Sequence, residues 1–388
     1  MSKNISKKKP RVVVAMSGGV DSSVAAYLLK KQGFDVIGIF LKFWQPAEDA
    51  CGNKRENSCC NMDSLNMARQ VAERLDIPFY VIRVENEFKE KIVDYFVKEY
   101  ESGNTPNPCV YCNRYIKFGF LWKKSRELGA DYLASGHYVR IKNKESRIKN
   151  KNSKIYTSLI RPHDTNKDQT YFLSHIDKKV ISHLLFPLGN LEKKEVRIIA
   201  KKAKLPVFNK RDSMGICFIP DGDNTGFLLR YSKKLNNPGD MVDEEGNKLG
   251  KHKGLVFYTV GQKIGSDLAS AEYVKARYSN SVDVPRIYVT KINVGKNQLV
   301  VGENKDCFSN LLFAKDLNVL NDKIYKISKE GKYIYAQIRG GHKAEKCKIN
   351  IKKDEISLKF STPVRAITPG QIVAFYDKNV LLGGATIK

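Results

Sequence analysis

Residues 11–23, RVVVAMSGGVDSS, join a short apolar strand to the start of a helix through two glycines. Glycines let backbone N–H groups approach a phosphate closely, and a helix N-terminus adds the positive end of its dipole. The stretch lacks the lysine of a GxxxxGK[ST] loop and the spacing of a GxGxxG dinucleotide loop. It therefore indicates a different kind of phosphate site, although a Gly-Gly turn with Asp21 and Ser22 as a helix cap is the simpler alternative.

The sequence on either side of this loop predicts a parallel α/β sheet. The β-type runs VVVAM, DVIGIFL and FYVIRV alternate with helical periodicity over residues 22–32, 63–75 and 86–101. A fourth helix is predicted over 113–128, followed by a strand over 131–135 that ends in Gly136 and His137. Ligands of open α/β sheets bind at such carboxyl ends of strands.

The pattern changes after about Ser213. Turn clusters such as DGDN, NNPGD and VGKN separate short β-type runs, and the last hundred residues read as all-β, in a small barrel or sandwich. We place the domains at 11–214, 215–284 and 285–388. The basic, aperiodic stretch 142–154 is expected to be a hairpin or loop.

The composition bounds the function. The chain of 388 residues has a formal charge of +27, which favours a polyanionic partner such as nucleic acid, although a lysine-rich composition that only aids solubility explains the charge equally well. No apolar run is long enough to cross a membrane, and the basic start lacks a secretory cleavage pattern. Eight cysteines are too few for a disulfide scaffold, so we expect a cytoplasmic protein.

Two further motifs carry cysteines. Residues 105–118, TPNPCVYCNRYIKF, place Cys112 at the start of the fourth predicted helix, where the helix dipole favours a thiolate. Residues 212–219, DSMGICFI, place Cys217 in a Gly-containing turn. Such a pair could act in redox chemistry or in a sulfur relay if the fold brings the two thiols together.

The glycine loop resembles the SGGxDS loop of the ATP pyrophosphatase superfamily, which cleaves ATP between the α and β phosphates. Seven blocks together, SGGVDS, TPNPCVYCNRYIKFG, ASGHYVR, KDQTYFL, DSMGICFI, YTVGQKIG and TPGQIVAFYD, resemble the tRNA-specific 2-thiouridylases in order and spacing. The resemblance implies an adenine-nucleotide alpha-hydrolase-like parallel-sheet domain, a small central domain and a C-terminal β-barrel. It also implies ATP-dependent 2-thiolation of the wobble uridine (position 34) in the tRNAs for Lys, Glu and Gln.

The resemblance also implies roles for particular residues. Cys217 would carry a persulfide and Cys112 would resolve it. The ATP site would be formed by Ala15, Met16, Ser17, Gly18, Gly19, Val20, Asp21, Ser22, Leu41 and Gly136. Asp21 would help to hold Mg²⁺ on the phosphates. The residues expected to contact tRNA are Asn107, Pro108, His137, Lys167, Asp168, Gln169, Arg339, Gly340 and Gln371. A cysteine desulfurase or sulfur relay protein would supply the sulfur.

Several alternatives stay open. Relatives often have Asp where this chain has Cys109, so the loop reads Cys109-x-x-Cys112. A metal or local-disulfide site that also uses Cys51, Cys59 and Cys60 therefore competes with our expectation that the chain binds no metal through its cysteines. The lysine-rich helix 191–204 is expected to be a solvated face, with a tRNA-facing role as a hypothesis. A small-molecule adenylating synthetase would share the loop without needing either cysteine, an RNA-binding module would release no pyrophosphate, and another class of tRNA thiolase would yield a different thiolated base.

Overall fold

The computed structural model describes residues 9–45, 62–148, 151–211, 215–219, 222–264, 286–353 and 355–388. The chain divides into two compact units. The first unit comprises Met1–Lys91, Cys109–Gly222 and Asn379–Leu381, and the second comprises Ile92–Pro108, Asp223–Lys378 and Leu382–Lys388.

The strands of the first unit are β1 (Arg11–Ala15), β2 (Asp35–Lys42), β3 (Phe79–Arg83), β4 (Tyr132–Ala134), β5 (Arg140–Ile148), β6 (Lys151–Ile160) and β7 (Leu184–Leu185). Five of them form a parallel sheet in the order β3-β2-β1-β4-β7. The strands β5 and β6 form an antiparallel hairpin over the basic stretch, as expected. The central residues of β1, Val12, Val13 and Val14, are fully buried, as in a sheet covered on both faces.

The strand order reverses between β1 and β4. From β1 the chain moves outward through β2 and β3, and it then returns to place β4 on the other side of β1. Ligands of such sheets bind in the crevice at this reversal, outside the carboxyl ends of the strands. The loop after β1 and the loop after β4 both open there.

The helices confirm the predicted alternation but differ in detail. They are α1 (Val20–Lys31), α2 (Met62–Arg74), α3 (Glu85–Phe88), α4 (Tyr95–Glu101), α5 (Pro108–Tyr111), α6 (Leu121–Glu127) and α7 (Lys193–Lys202). A π-helical segment (Lys89–Asp94) joins α3 to α4, and another (Cys112–Phe120) joins α5 to α6. The predicted start of the fourth helix at residue 113 is therefore wrong, because Pro108 already begins it. Proline is well suited to a first helical position.

The second unit contains a four-stranded sheet and a barrel. After α8 (Asn224–Tyr231) come β8 (Gly239–Val242), β9 (Lys248–His252), β10 (Tyr288–Asn293) and β11 (Gln298–Gly302), which pair in the order β10-β11-β8-β9. Their core includes Met241, Val289 and Leu299.

The barrel strands are β12 (Phe308–Val319), β13 (Tyr333–Gln337), β14 (Glu345–Lys352), β15 (Glu355–Arg365), β16 (Ile372–Asp377) and β17 (Val380–Ile387). They pair in the order β12-β15-β14-β13-β16-β17, and β17 pairs with β12 to close the barrel. The predicted fold class, with a parallel sheet and a C-terminal barrel, is confirmed. The last hundred residues are not all-β, however, since the helix α9 (Lys323–Lys329) lies between β12 and β13. No helix among the described residues is long and apolar enough to span a membrane.

Candidate active site

The loop after β1, residues 15–22, is called the phosphate loop below. Gly18 has φ +68°, in the left-handed region, and a Cβ there would lie 2.0 Å from the backbone oxygen of Ser64 in α2. Only glycine meets both demands without strain. The sequence therefore needs Gly18 for the close approach of α2 to the loop as well as for the turn.

The N-terminus of α1 faces the crevice. Gly19 is the N-cap and has no side chain to cap the helix, so backbone N–H groups of the first turn are not covered by a cap hydroxyl. The hydroxyls of Ser22 and Ser23 instead donate to the Gly19 carbonyl, at 3.2 and 2.8 Å. Ser22 Oγ also accepts from the Ser17 N–H at 3.2 Å. These bonds hold the loop in a shape suited to an anion.

Gly136, at the end of β4, packs directly on the phosphate loop. A Cβ at this position would lie 2.7 Å from both Asp21 C and Ser22 N. The structure thus brings Gly136 together with the loop, and their joint role in an ATP site stays a prediction. Leu41 lies near the end of β2 with 7% of its surface exposed, and Met16 donates its N–H to the Ile39 carbonyl at 2.8 Å. A contact between Leu41 and adenine stays a prediction.

Asp21 has two partners that sequence reasoning missed. Tyr138 Oη donates to Asp21 Oδ1 at 2.9 Å, and Lys193 Nζ donates to both carboxylate oxygens at 2.7 and 2.8 Å. Tyr138 lies in the ASGHYVR block, and this position in a recognised motif was a sequence signal that Tyr138 contributes to the site. Lys193 gave no signal distinct from its lysine neighbours in the helix.

Lys210 is a second missed residue. Its Nζ donates to the Gly18 carbonyl and to Ser64 Oγ, both at 3.0 Å. Arg197 donates to the carbonyls of Phe208 and Lys210, at 3.3 and 3.1 Å, and so ties α7 to the segment that carries Lys210. The expectation of a solvated face on this helix fits Lys194, Lys201 and Lys202, which are exposed, but it is wrong for Lys193 and Arg197.

The two proposed catalytic cysteines lie in the first unit. Cys112 is buried, one turn into its helix, so the dipole argument applies to Cys109 in the first turn rather than to Cys112. Cys217 is half-buried, and the ring of the next residue, Phe218, packs edge-on against Phe88 of α3 at 5.8 Å. The segment that begins at Cys112 also packs against α3. Cys112 thus begins a segment that packs on α3, and Cys217 precedes a residue, Phe218, that packs on the same helix.

Two histidines near these elements are neutral. Burial, with a smaller effect of Lys117, lowers the pKa of His137 from 6.5 to about 3. Its Nδ1 pairs with Ser135 Oγ at 2.8 Å, and its ring packs against Phe118. Burial, with a smaller effect of the positive charge on Arg114, lowers the pKa of His175 from 6.5 to about 3. Contact of the neutral His137 ring with tRNA stays a prediction.

The block 167–169 is anchored within the first unit. The carboxylate of Asp168 pairs with Arg161 and accepts from the Thr170 N–H at 2.9 Å. Gln169 Oε1 accepts from the Tyr138 N–H at 2.8 Å, which links this block to a partner of Asp21. Lys167 is half-buried in the turn Thr165–Lys167. Contact of the three side chains with tRNA stays a prediction.

The second unit brings Gln371 to the loop that precedes α5. Gln371 Nε2 donates to the Thr105 carbonyl at 2.8 Å, and the Thr105 N–H donates to the Pro369 carbonyl at 2.8 Å. Gln371 is thus next to the stretch that carries the predicted tRNA contacts Asn107 and Pro108. Arg339 donates to the carbonyls of Arg365 and Ala366, at 2.9 and 3.3 Å, and Gly340 is exposed in the following turn.

No metal cluster is built from the described residues: nowhere among them do three or more His, Cys, Asp or Glu side chains converge in that way. The alternative site with Cys51, Cys59 and Cys60 lies outside the described residues. Cys307 and Cys347 are buried in the second unit, and burial raises the pKa of Cys347 to about 12.

The fold and the loop define a nucleotide-binding parallel-sheet domain followed by two β domains. Family models agree with this division: a tRNA methyl transferase HUP domain matches residues 10–221, a tRNA methyl transferase PRC-barrel domain matches 225–303, and an aminomethyltransferase beta-barrel domain matches 309–387.

Full-length relatives are more specific than these descriptions. The tRNA-specific 2-thiouridylase MnmA of Clostridium acetobutylicum is 44% identical over 380 residues, which is 97% of this chain and 99% of the relative. The tRNA-specific 2-thiouridylase MnmA 2 of Thermoanaerobacter sp. is 46% identical over 379 residues, covering 97% and 98%. The chain belongs to the tRNA-specific 2-thiouridylase family, and membership together with the phosphate loop indicates an ATP-using enzyme.

Solved structures resemble the chain more weakly. A 4-thiouridine synthetase in complex with RNA and ATP has a TM-score of 0.34 and 16% identity over 54% of this chain and 45% of that chain. This likeness is too small to bear on the site.

Proposed function

We propose that this chain catalyses the ATP-dependent 2-thiolation of the wobble uridine, position 34, in tRNAs for Lys, Glu and Gln. The products are 2-thiouridine, AMP and pyrophosphate. The observation that carries the proposal is the presence, in one compact unit, of a phosphate loop and of the two cysteines, Cys112 and Cys217, that the chemistry needs. The family relationship supports the same activity.

The first step makes the uracil oxygen a leaving group. The C2 carbonyl of uracil is urea-like, and its oxygen leaves poorly until it is esterified. O2 attacks the α-phosphorus of ATP, the bond to the bridging oxygen breaks, and pyrophosphate leaves with that electron pair. The phosphate loop supports this step because its N–H groups and the α1 N-terminus stabilise negative charge.

The second step transfers sulfur. The terminal sulfur of a Cys217 persulfide attacks C2, and AMP departs with the former O2 as one of its phosphate oxygens. The Cys112 thiolate then attacks Cys217 Sγ, the S–S bond to the transferred sulfur breaks, and the electron pair stays on that sulfur as the C2 thiocarbonyl. A Cys112–Cys217 disulfide results, and an external thiol reductant must supply two electrons to restore both thiols.

Asp21 is the residue we propose to hold Mg²⁺. Mg²⁺ in nucleotide sites uses one or two carboxylates together with substrate phosphates and water. The Asp21 carboxylate, 33% exposed and beside the loop, fits that donor set. The ion would neutralise charge on the phosphates; the chain's own contribution is to orient Asp21 through Tyr138 Oη at 2.9 Å.

The remaining roles concern the partners. The formal charge of +27 suits a tRNA substrate. We propose that tRNA contacts come from Asn107, Pro108, His137, Lys167, Asp168, Gln169, Arg339, Gly340 and Gln371. We further propose a cytoplasmic location and a cysteine desulfurase or relay protein as the sulfur source.

Nucleoside mass spectrometry tests the proposal. Unmodified tRNA is incubated with Mg-ATP, with a cysteine desulfurase and L-cysteine as the source of persulfide sulfur, and with the wild-type, Cys112→Ala or Cys217→Ala protein. We expect 2-thiouridine at the wobble position and AMP formation with the wild-type protein only. Absence of a thiolated base from every sample, while the desulfurase forms its own persulfide, would contradict the proposal and favour a small-molecule adenylating synthetase.

A further inference from the structure

Two lysines reach the phosphate loop from outside its own sequence. Lys193 is 172 residues from Asp21 along the chain, yet its Nζ lies 2.7 and 2.8 Å from the two carboxylate oxygens. Its side chain is only 14% exposed, whereas that of the next residue, Lys194, is 76% exposed. The two adjacent lysines of α7 therefore have different environments: Lys194 is exposed to solvent, whereas Lys193 contacts the phosphate loop through Asp21.

Lys210 contacts the phosphate loop at Gly18, three residues before Asp21. Its Nζ donates to the Gly18 carbonyl and to Ser64 Oγ, both at 3.0 Å. Arg197 links α7 to the backbone at Lys210 through a 3.1 Å hydrogen bond, and α7 packs on α1. One connected part of the first unit thus presents two ammonium groups to the loop, one at Gly18 and one at Asp21.

The loop needs such charges. SGGVDS contains no cation of its own, while Asp21 contributes a negative charge where a polyphosphate would bind. An unneutralised carboxylate beside phosphate oxygens is repulsive, and the repulsion is stronger at a partly buried site than in water. Lys193 already neutralises Asp21, and a short movement of a flexible lysine stem lets its ammonium serve a phosphate oxygen as well.

We propose that Lys193 and Lys210 bind the β- and γ-phosphates of the nucleoside triphosphate, with Lys193 shared between Asp21 and phosphate. This inference rests on the proposed use of ATP and extends it to the leaving group. As the bond between the α-phosphorus and the bridging oxygen breaks, the electron pair moves onto the departing pyrophosphate. Ammonium groups at that position stabilise the developing charge.

Binding measurements on the whole chain test the inference without tRNA. The probes are an ATP analogue with a methylene group between the α and β phosphorus atoms, inorganic pyrophosphate, and AMP. We expect Lys193→Met and Lys210→Met each to weaken binding of the analogue and of pyrophosphate by about 10- to 100-fold, the usual range for a hydrogen bond to a charged group. AMP affinity should change less than twofold, since AMP lacks both phosphates. Lys194→Met is the matched control, and all its affinities should equal those of the wild type.

A second pair of variants separates phosphate binding from a structural ion pair. If Lys193 acts only by neutralising Asp21, then Asp21→Asn combined with Lys193→Met should restore metal-free pyrophosphate binding, measured with EDTA. If Lys193 contacts phosphate, Asp21→Asn alone should strengthen metal-free binding, and the double variant should bind about 10- to 100-fold more weakly than Asp21→Asn, because it lacks that contact. Full restoration of the double variant to the affinity of Asp21→Asn, or equal losses for AMP and the analogue, would overturn the inference.

The proposed function can fail separately. A wild-type protein that forms no 2-thiouridine while the lysine variants lose pyrophosphate affinity would refute the thiolation and leave the inference standing. A wild-type protein that thiolates tRNA while both variants bind pyrophosphate normally would do the reverse.

Discussion

Replacing Gly18 with alanine should destabilise the first unit and displace the phosphate loop. Two costs add at this position. With φ at +68°, residue 18 has the left-handed backbone conformation, which costs about 1–2 kcal/mol for a residue that carries a Cβ. The Cβ would also lie 2.0 Å from the Ser64 carbonyl oxygen, where ordinary contact begins near 3.4 Å. That oxygen is backbone and cannot rotate away, so overpacking adds about 1–3 kcal/mol.

Gly33→Ala is the matched control because it carries only the first cost. Gly33 has φ +88°, and nothing lies within 4 Å of its added Cβ. We therefore expect Gly33→Ala to cost about 1–2 kcal/mol and Gly18→Ala about 2–5 kcal/mol. Each kcal/mol should lower the unfolding midpoint of a unit of this size by about 2–4 °C.

Tryptophan fluorescence reports the unfolding of the first unit alone. The chain has two tryptophans, Trp44 and Trp122, and both belong to that unit. Affinity for the methylene ATP analogue gives the second reading: it should fall more than tenfold in Gly18→Ala and stay within twofold of the wild type in Gly33→Ala. Equal midpoints and equal affinities in the two variants would refute the argument that α2 fixes the loop at Gly18.

Three further predictions concern other parts of the molecule. Burial holds the pKa of His175 at about 3, while in the unfolded chain it is near 6.5, so the folded state alone stays unprotonated as the pH falls. His175 alone should thus decrease the unfolding free energy below pH 6.5 by up to about 1.4 kcal/mol per pH unit; His175→Asn should reduce the slope by that amount in urea unfolding followed by fluorescence, and an unchanged slope would argue against it. N-ethylmaleimide at pH 8 should modify Cys347, whose pKa burial raises to about 12, more slowly than the half-buried Cys217, and peptide mass spectrometry showing the opposite order would be incompatible with this burial. Gln371→Ala removes the hydrogen bond to the Thr105 carbonyl, so the thiolation rate should fall more than threefold with ATP-analogue affinity unchanged; a normal rate would show that the loop keeps its shape without Gln371.

The sequence predicted the parallel sheet and the phosphate loop because their signals are local. Apolar runs, helical periodicity and the two glycines all lie within a few residues of the elements they form. Regularly spaced turns likewise predicted a small barrel or sandwich in the C-terminal part of the chain. The start of the helix at Pro108 was missed because Pro106 and Pro108, with only Asn107 between them, favour an extended backbone, and the π-helical segments leave no clear periodic signal.

The lysines of the site could not be predicted for a different reason. Lys193 and Lys210 reach the loop from 172 and 192 residues away. In α7, Lys193 stands among other lysines, and a basic helix is usually a solvated face. Only tertiary packing distinguishes Lys193, whose ammonium meets Asp21, from the exposed Lys194, whose ammonium pairs with Glu192.

The central claim is that sulfur passes from Cys217 to the base and that Cys112 completes the transfer. The most direct test is a single turnover of Cys112→Ser protein that carries a preformed persulfide, with Mg-ATP and unmodified tRNA and without reductant. The account predicts a stalled adduct in which tRNA is linked to Cys217 through a disulfide, and dithiothreitol should release it as 2-thiouridine-containing tRNA. Cys109→Ser protein, treated identically, should release its product without a trapped adduct. Free 2-thiouridine from Cys112→Ser protein, or an adduct trapped by Cys109→Ser instead, would contradict the assignment.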